Sequence, residues 1–265
     1  MTRKLPTVAD LRACKGKGQK TMLHYRTLEQ AAAAEAAGID IASIPPELMT
    51  NPRYREVAPS VFSMTGRAHP EAGTPDDYLR LAGQLLHAGA DAIYCSGSLH
   101  TVEMLAREYV PVVGHVGLVP SRATFTGGLR AVGKTAASAL ALYEDCHRYQ
   151  DAGAFAVEIE VVPPEVATAI SARLDLLLWS MGAGPGCDAQ YLFAVDILGE
   201  TRGHIPRHSK VYRTFAAEHD RLQAERIAAF TEFREDVANG AFPEPQHLVM
   251  MDPAEHEAFL KGIGA

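Results

Sequence analysis

Short apolar runs alternate along this chain with stretches of helical periodicity. KTMLHY (20–25) reads as a strand, and Thr27-Leu28-Glu29-Gln30 reads as a capping box opening an Ala-rich helix that stops at Gly38. IDIASI (39–44) and SVFSM (60–64) are the next apolar runs. Thr74-Pro75-Asp76-Asp77 then carries the marks of a helix start, with a hydroxyl N-cap, proline in the first turn and an acidic third position, and the helix runs on to Gly89. DAIYC (91–95), VPVVGHVG (110–117), AFAVEIEVV (154–162) and LDLLLWS (174–180) continue as buried strands separated by helical stretches such as SALALYEDCHRYQDAG. An eighth strand is expected near 200–205.

Strand and helix alternating throughout predict a parallel sheet, and eight such units predict a closed (β/α)8 TIM barrel rather than an open doubly wound sheet. The stretch 209–239 reads as a long helix, so 209–265 is expected to be a C-terminal helical extension packed outside the barrel. With no repeat, low-complexity linker or internal boundary, residues 1–265 read as one barrel domain carrying that extension.

The balance of 47% apolar and 22% charged residues is that of a soluble protein with a large core. A formal net charge of −7 and the lack of any Lys/Arg run argue against a nucleic-acid partner. No stretch reaches the ~18 apolar residues of a spanning helix, and the start has no signal-like apolar segment, so neither a membrane nor a secreted protein is expected. Cys14, Cys95, Cys146 and Cys187 stand far apart with no CxxC pair, which points to a reducing cytoplasm rather than to disulfides or a zinc knuckle.

In a barrel the reacting groups lie at the C-terminal ends of the strands. Glu158 and Glu160, two apart on one strand, fall on the same face, with Val157, Ile159 and Val161 on the other. Two crowded carboxylates raise the proton affinity of one of them, which suits a general acid or base, or else they bind a divalent cation. His115 ends the strand VPVVG and faces the same mouth, as a catalytic group or as a core histidine bonded to a carbonyl. The run Gly182-Ala183-Gly184-Pro185-Gly186 leads into a helix expected from Asp188, and reads equally as an anion-holding turn or a plain tight turn. His24, His69, His100, His204 and His208 show no HxH or HxxxH spacing, so no metal site is read from them and most are expected at the surface.

Three segments carry a family resemblance. VPVVGHVGLVPSRATFTGG (110–128), GAFAVEIEVVPPEVA (153–167) and GAGPGCDAQYLFAVDILG (182–199) resemble the strand-five, catalytic-glutamate and seventh-strand signatures of the ketopantoate hydroxymethyltransferase family, within the phosphoenolpyruvate mutase/isocitrate lyase superfamily. GHIPRHSK (203–210) and VANGAFPEPQH (237–247) follow in the family's order, so the likeness covers about 20–247. It implies a barrel, a homo-oligomer (the family forms decamers), and transfer of a hydroxymethyl group from methylenetetrahydrofolate to a 2-oxo acid through a Mg2+-bound enolate. Glu160 matches the family's general base and His115 its active-site histidine.

Other positions depart from the pattern. Pro45-Pro46-Glu47 stands where the family has Gly-Asp-Ser, Met64 falls at about the third-strand Asp, and Tyr94 and Ser96 replace a Lys-x-Glu. The Mg2+ ligands implied by the family are therefore expected to be lost, tetrahydrofolate remains a cofactor by resemblance only, and the metal is left open. The reading is a divergent enzyme doing aldol, retro-aldol or enolisation chemistry on a small carbonyl or carboxylate substrate. Glu160, His115 and Glu158 are its catalytic candidates, and Tyr94, Ser96, Glu47 and His24 its substrate-binding candidates. The alternatives are a hydrolase or decarboxylase using the glutamate pair, and a non-catalytic small-molecule-binding paralogue.

Overall fold

Eight strands pair in parallel and in chain order: β1 (Lys20–His24), β2 (Ile41–Ile44), β3 (Phe62–Arg67), β4 (Ala92–Cys95), β5 (Val112–Gly117), β6 (Ala156–Glu160), β7 (Leu177–Met181) and β8 (Ala189–Phe193). In this computed structural model, which describes residues 3–265, β8 closes back onto β1 and the sheet is a barrel.

Each of the seven apolar runs forms a strand because its alternate residues are buried on both sides. One set, including Met22, Ile41, Phe62, Met64, Phe155 and Trp179, fills the barrel interior. The other set, including Ile44, Ile93, Val116 and Ile159, packs outward against the surrounding helices. Phe155 stacks edge-on against both Phe62 and Trp179 and makes the floor beneath the strand ends. Each fully buried large side chain of this kind contributes roughly 1.5–3 kcal/mol.

Helix starts follow the chemistry of their caps. Thr74 caps the helix Pro75–His87, accepting from Asp77 N while Asp77 bonds back to Thr74. Thr27 caps Leu28–Ala37, but Gln30 bonds to the amide of Arg26 instead of closing a full capping box, and Gly38 ends the helix at φ 79°.

The last strand corrects two expectations. β8 is Ala189–Phe193, where a helix was expected, and 200–205 is irregular. Asp188 does not cap a helix: its carboxylate accepts from Leu178 N at 2.8 Å and pairs with Lys15 at 3.1 Å, fixing the start of β8 beside β7. The Gly-rich run 182–186 makes the short crossover between them. Gly184 adopts φ +84° and lies so close to Pro164 that no Cβ would fit.

The chain divides into two compact units, the barrel unit ending at Arg213 and the unit Thr214–Ala265. The second holds the helix Phe215–Asn239, ended by Gly240 at φ 77°, and the helix Pro253–Gly262, capped by Asp252. The long helix thus begins at Phe215 rather than at 209, because 209–214 is irregular. No described helix is long and apolar enough to cross a membrane.

Candidate active site

A cavity of about 690 Å3 opens at the C-terminal ends of the strands. His24, Ser43, Gly66, Tyr94, His115, Glu158, Glu160, Met181, Tyr191 and Phe193 line it, and in every strand these are the inward members of the alternation whose lower members form the barrel core. Sequence alternation on β6 therefore delivers both glutamates to one wall, and the same alternation on β5 delivers His115.

His115 sits between the two carboxylates. Its Nδ1 is 2.8 Å from the Tyr94 hydroxyl and 3.6 Å from Glu158 Oε2, while its Nε2 is 3.1 Å from Glu160 Oε2. The Glu160 oxygen lies off the direction of the ring N–H, so Nε2 is buried without a hydrogen bond although the two atoms are close. The histidine is 4% exposed and Glu158 also 4%.

Burial raises the Glu158 carboxyl to about 7; His115 pulls it down and Glu160 pushes it further up. Burial also drives the Tyr94 hydroxyl well above its ordinary value, with the neighbouring Glu158 adding to the rise. The site thus holds at neutral pH one carboxyl near its midpoint and a firmly protonated phenol.

His24 lines the cavity on the opposite side. Burial, and then the Arg26 cation, lower it to about 4, so it is neutral and accepts from Arg26 Nε at 3.1 Å. Glu47 is not a lining residue: it is mostly exposed and ion-paired to Arg67, whose guanidinium does face the cavity. Ser96 is buried outside the cavity and accepts the His69 amide at 2.8 Å. Of the substrate-binding candidates, Tyr94 and His24 therefore face the cavity while Glu47 and Ser96 do not.

The strand ends and the segments that follow them add residues that periodicity could not reveal. Arg26, Arg67, Asp196, His204 and His208 all line the cavity. Asp196 accepts from Ser209 at 2.9 Å and so ties the 200–209 segment beside the mouth. His208 packs against the bare backbone of Gly182, and burial lowers its pKa while Glu160 and Asp196 raise it. The sequence signal for it was its place in GHIPRHSK, within the family likeness.

The donor set bears on metal binding. β2 to β4 present Ser43, Pro45, Pro46, Gly66 and Tyr94, and Met64 lies lower in the barrel core rather than at the strand end. A Cβ at Gly66 would meet the carbonyl of Tyr94, so this strand end has no room for a ligating side chain. Among the described residues no three His, Cys, Asp or Glu side chains group so as to hold a metal ion.

Comparison with known proteins gives a consistent picture. Residues 70–245 match the family model described as ketopantoate hydroxymethyltransferase. The chain is 40% identical over 191 residues to a 3-methyl-2-oxobutanoate hydroxymethyltransferase of Chloroflexus aurantiacus, a match covering 71% of this chain and 65% of the relative. It is 29% identical over 283 aligned positions to 3-methyl-2-oxobutanoate hydroxymethyltransferase 1 of Methylibium petroleiphilum, covering 97% and 94%. The chain thus spans just under two thirds of the first relative and nearly all of the second. Two solved structures share the fold: oxaloacetate acetylhydrolase in complex with the product oxalate (TM-score 0.55, 12% identity, 88% and 97% covered) and phosphonopyruvate hydrolase with oxalate and Mg2+ (0.53, 15%, 97% and 99%).

Proposed function

The chain belongs to the ketopantoate hydroxymethyltransferase family of enzymes, and from that membership we propose that it is a divergent member making or breaking a C–C bond beside a carbonyl, or enolising such a substrate. The observation that carries the reading is the triad of the cavity wall, with His115 held between Glu158 and Glu160 at the strand ends.

Glu160 is the general base: it removes a proton from the carbon next to the carbonyl, and the C–H electron pair moves toward the carbonyl oxygen. His115, with Tyr94 bonded to it, is the neighbouring group available to the oxygen that gains charge. Glu158, near its midpoint at neutral pH, sets the charge of the pocket. Arg26 has no carboxylate partner among the described residues and is placed to receive a substrate carboxylate.

The family's Mg2+ does not fit this donor set. An octahedral hard cation is held chiefly by carboxylate and carbonyl oxygens, and the ends of β2 to β4 offer two hydroxyls and two prolines, with the single carboxylate of Glu71 in the segment beyond β3. Methylenetetrahydrofolate enters as the candidate one-carbon donor.

Two further parts of the reading rest on other observations. Homo-oligomerisation is supported by the second unit, where Phe230 is 72% and Val249 101% exposed; light scattering at the 28.6 kDa monomer mass would exclude it. A cytoplasmic location is supported by four cysteines that are all free thiols.

The test is deuterium exchange at C3 of 3-methyl-2-oxobutanoate in D2O, followed by proton NMR with and without methylenetetrahydrofolate. Enzyme-dependent exchange that Glu160→Gln abolishes is the expected result. Lack of exchange across a panel of 2-oxo acids, with no rise in melting temperature from any of them, would overturn the reading. Release of CO2 or a hydrolysis product without exchange would favour a decarboxylase or hydrolase using the glutamate pair.

A further inference from the structure

Tyr94 stands where the family resemblance implies a lysine, and it is in direct contact with the active-site histidine. The contact has a direction. An imidazole nitrogen is a far stronger base than a phenol oxygen, and a phenol is a better donor than a neutral ring N–H, so at 2.8 Å the hydroxyl donates and Nδ1 accepts. The other near group on this side, Glu158 Oε2, is 3.6 Å from Nδ1 and beyond hydrogen-bond range, so the phenol is the partner of that nitrogen.

A ring that accepts at Nδ1 and is neutral carries its hydrogen on Nε2. That nitrogen is the one left without a hydrogen bond on the side of Glu160. A buried donor with no acceptor is costly unless the working complex supplies one.

We propose that Tyr94 is a positioning residue that fixes His115 as the neutral Nε2–H tautomer, so that His115 serves as a hydrogen-bond donor to the substrate's developing enolate oxygen and not as a second base. The inference rests on the enolisation reading for its substrate, but not for the tautomer. As Glu160 takes the proton from carbon, the C–H pair becomes the C=C bond and the carbonyl pair moves onto oxygen. Nε2–H binds that oxygen and keeps its own proton, so no further reactant is needed. Protonation of the enolate carbon, or its addition to an aldehyde-level carbon, reverses the electron flow.

The experiment is two-dimensional long-range 1H–15N NMR of the histidine rings in the full-length protein at pH 7.5, with the His115 signals assigned by their loss in His115→Gln. The wild-type ring is expected to show a pyrrole-type Nε2 and a pyridine-type Nδ1. Tyr94→Phe, which removes one oxygen, is expected to lose that preference and to lower kcat for C3 exchange by roughly 10- to 10²-fold with KM changed less than threefold, below the 10²–10³ that deleting an oxyanion donor outright costs. A wild-type ring that is Nδ1–H or doubly protonated overturns the proposal, whether or not the variant folds. So does a Tyr94→Phe enzyme that keeps either the wild-type tautomer or the wild-type kcat. If the wild-type protein exchanges no 2-oxo acid, the enolisation reading falls and the donor role with it, while the spectra still decide whether Tyr94 sets the tautomer.

Discussion

Glu160 Oε2 stands 3.1 Å from His115 Nε2 without accepting a hydrogen bond from it. The two groups are in close electrostatic contact but are not locked by a directed hydrogen bond, and both line the same cavity. Under the proposed function this arrangement leaves both groups available to one substrate.

Glu160→Gln keeps the shape and the hydrogen-bonding capacity of the side chain but cannot accept the proton. Turnover, or C3 exchange, should fall by roughly 10²- to 10⁴-fold, with the circular dichroism spectrum unchanged. Near-normal turnover in Glu160→Gln together with an inactive Glu158→Gln would exchange the two roles.

Glu158 makes stability depend on pH. Its carboxyl titrates near 7 in the folded protein against an ordinary value of 4.5, so the folded state binds the proton more tightly than the unfolded one. Stability from this group is then fully present below about pH 4.5 and is lost as pH rises through 7, an effect of about 3 kcal/mol for one carboxyl. Glu158→Gln should be more stable than wild type at pH 8 and no more stable at pH 4. Melting temperatures at the two pH values measure this; a wild-type protein that gains stability from pH 5 to 8 relative to Glu158→Gln would show that the carboxyl is held ionised.

The barrel and the glutamate wall were legible because both depend on short-range alternation. Glu158 and Glu160 share a face in any straight strand, and His115 lies in the second half of the strand that pairs with theirs. β8 was not legible, since AQYLF is short, carries polar Gln190, and follows glycines and an aspartate that read equally well as a helix start. Arg26 and His208 reach the cavity from irregular segments, and Arg67 from the last position of β3, where tertiary contacts such as the Arg67–Glu47 pair and not any period set the position. For the same reason Glu47, three residues past the end of β2, could not be told in advance from a lining residue.

Chelation tests the proposed loss of the Mg2+ site. The ends of β2 to β4 supply hydroxyls, prolines and a glycine, with Glu71 in the segment after β3 the one cavity-lining carboxylate of that side among the described residues. C3 exchange of 3-methyl-2-oxobutanoate should persist within twofold in excess EDTA. A loss restored by Mg2+ alone would mean that Glu158 and Glu160, or Asp196 and Glu71 farther out in the cavity, rearrange into a ligand set.

Val161 adopts φ +49°, a left-handed conformation that a β-branched residue takes at a cost of about 1–3 kcal/mol. The neighbouring backbone bonds hold it there: Val161 N donates to Met181 O at 2.9 Å, Val132 N to Val161 O at 3.1 Å, and Leu118 N to Glu160 O at 2.9 Å. The turn ends β6 immediately after Glu160 and thereby fixes where the carboxylate emerges. Glycine removes the strain at an entropic cost of about 0.5–1 kcal/mol, so Val161→Gly should melt at or above the wild-type temperature, unlike most substitutions of a strand-end valine. Its kcat should fall several-fold, because the backbone that aims Glu160 is no longer confined to one conformation, while KM changes little. A lower melting temperature with unchanged kcat would show that the side chain's packing, and not its backbone strain, is what position 161 contributes.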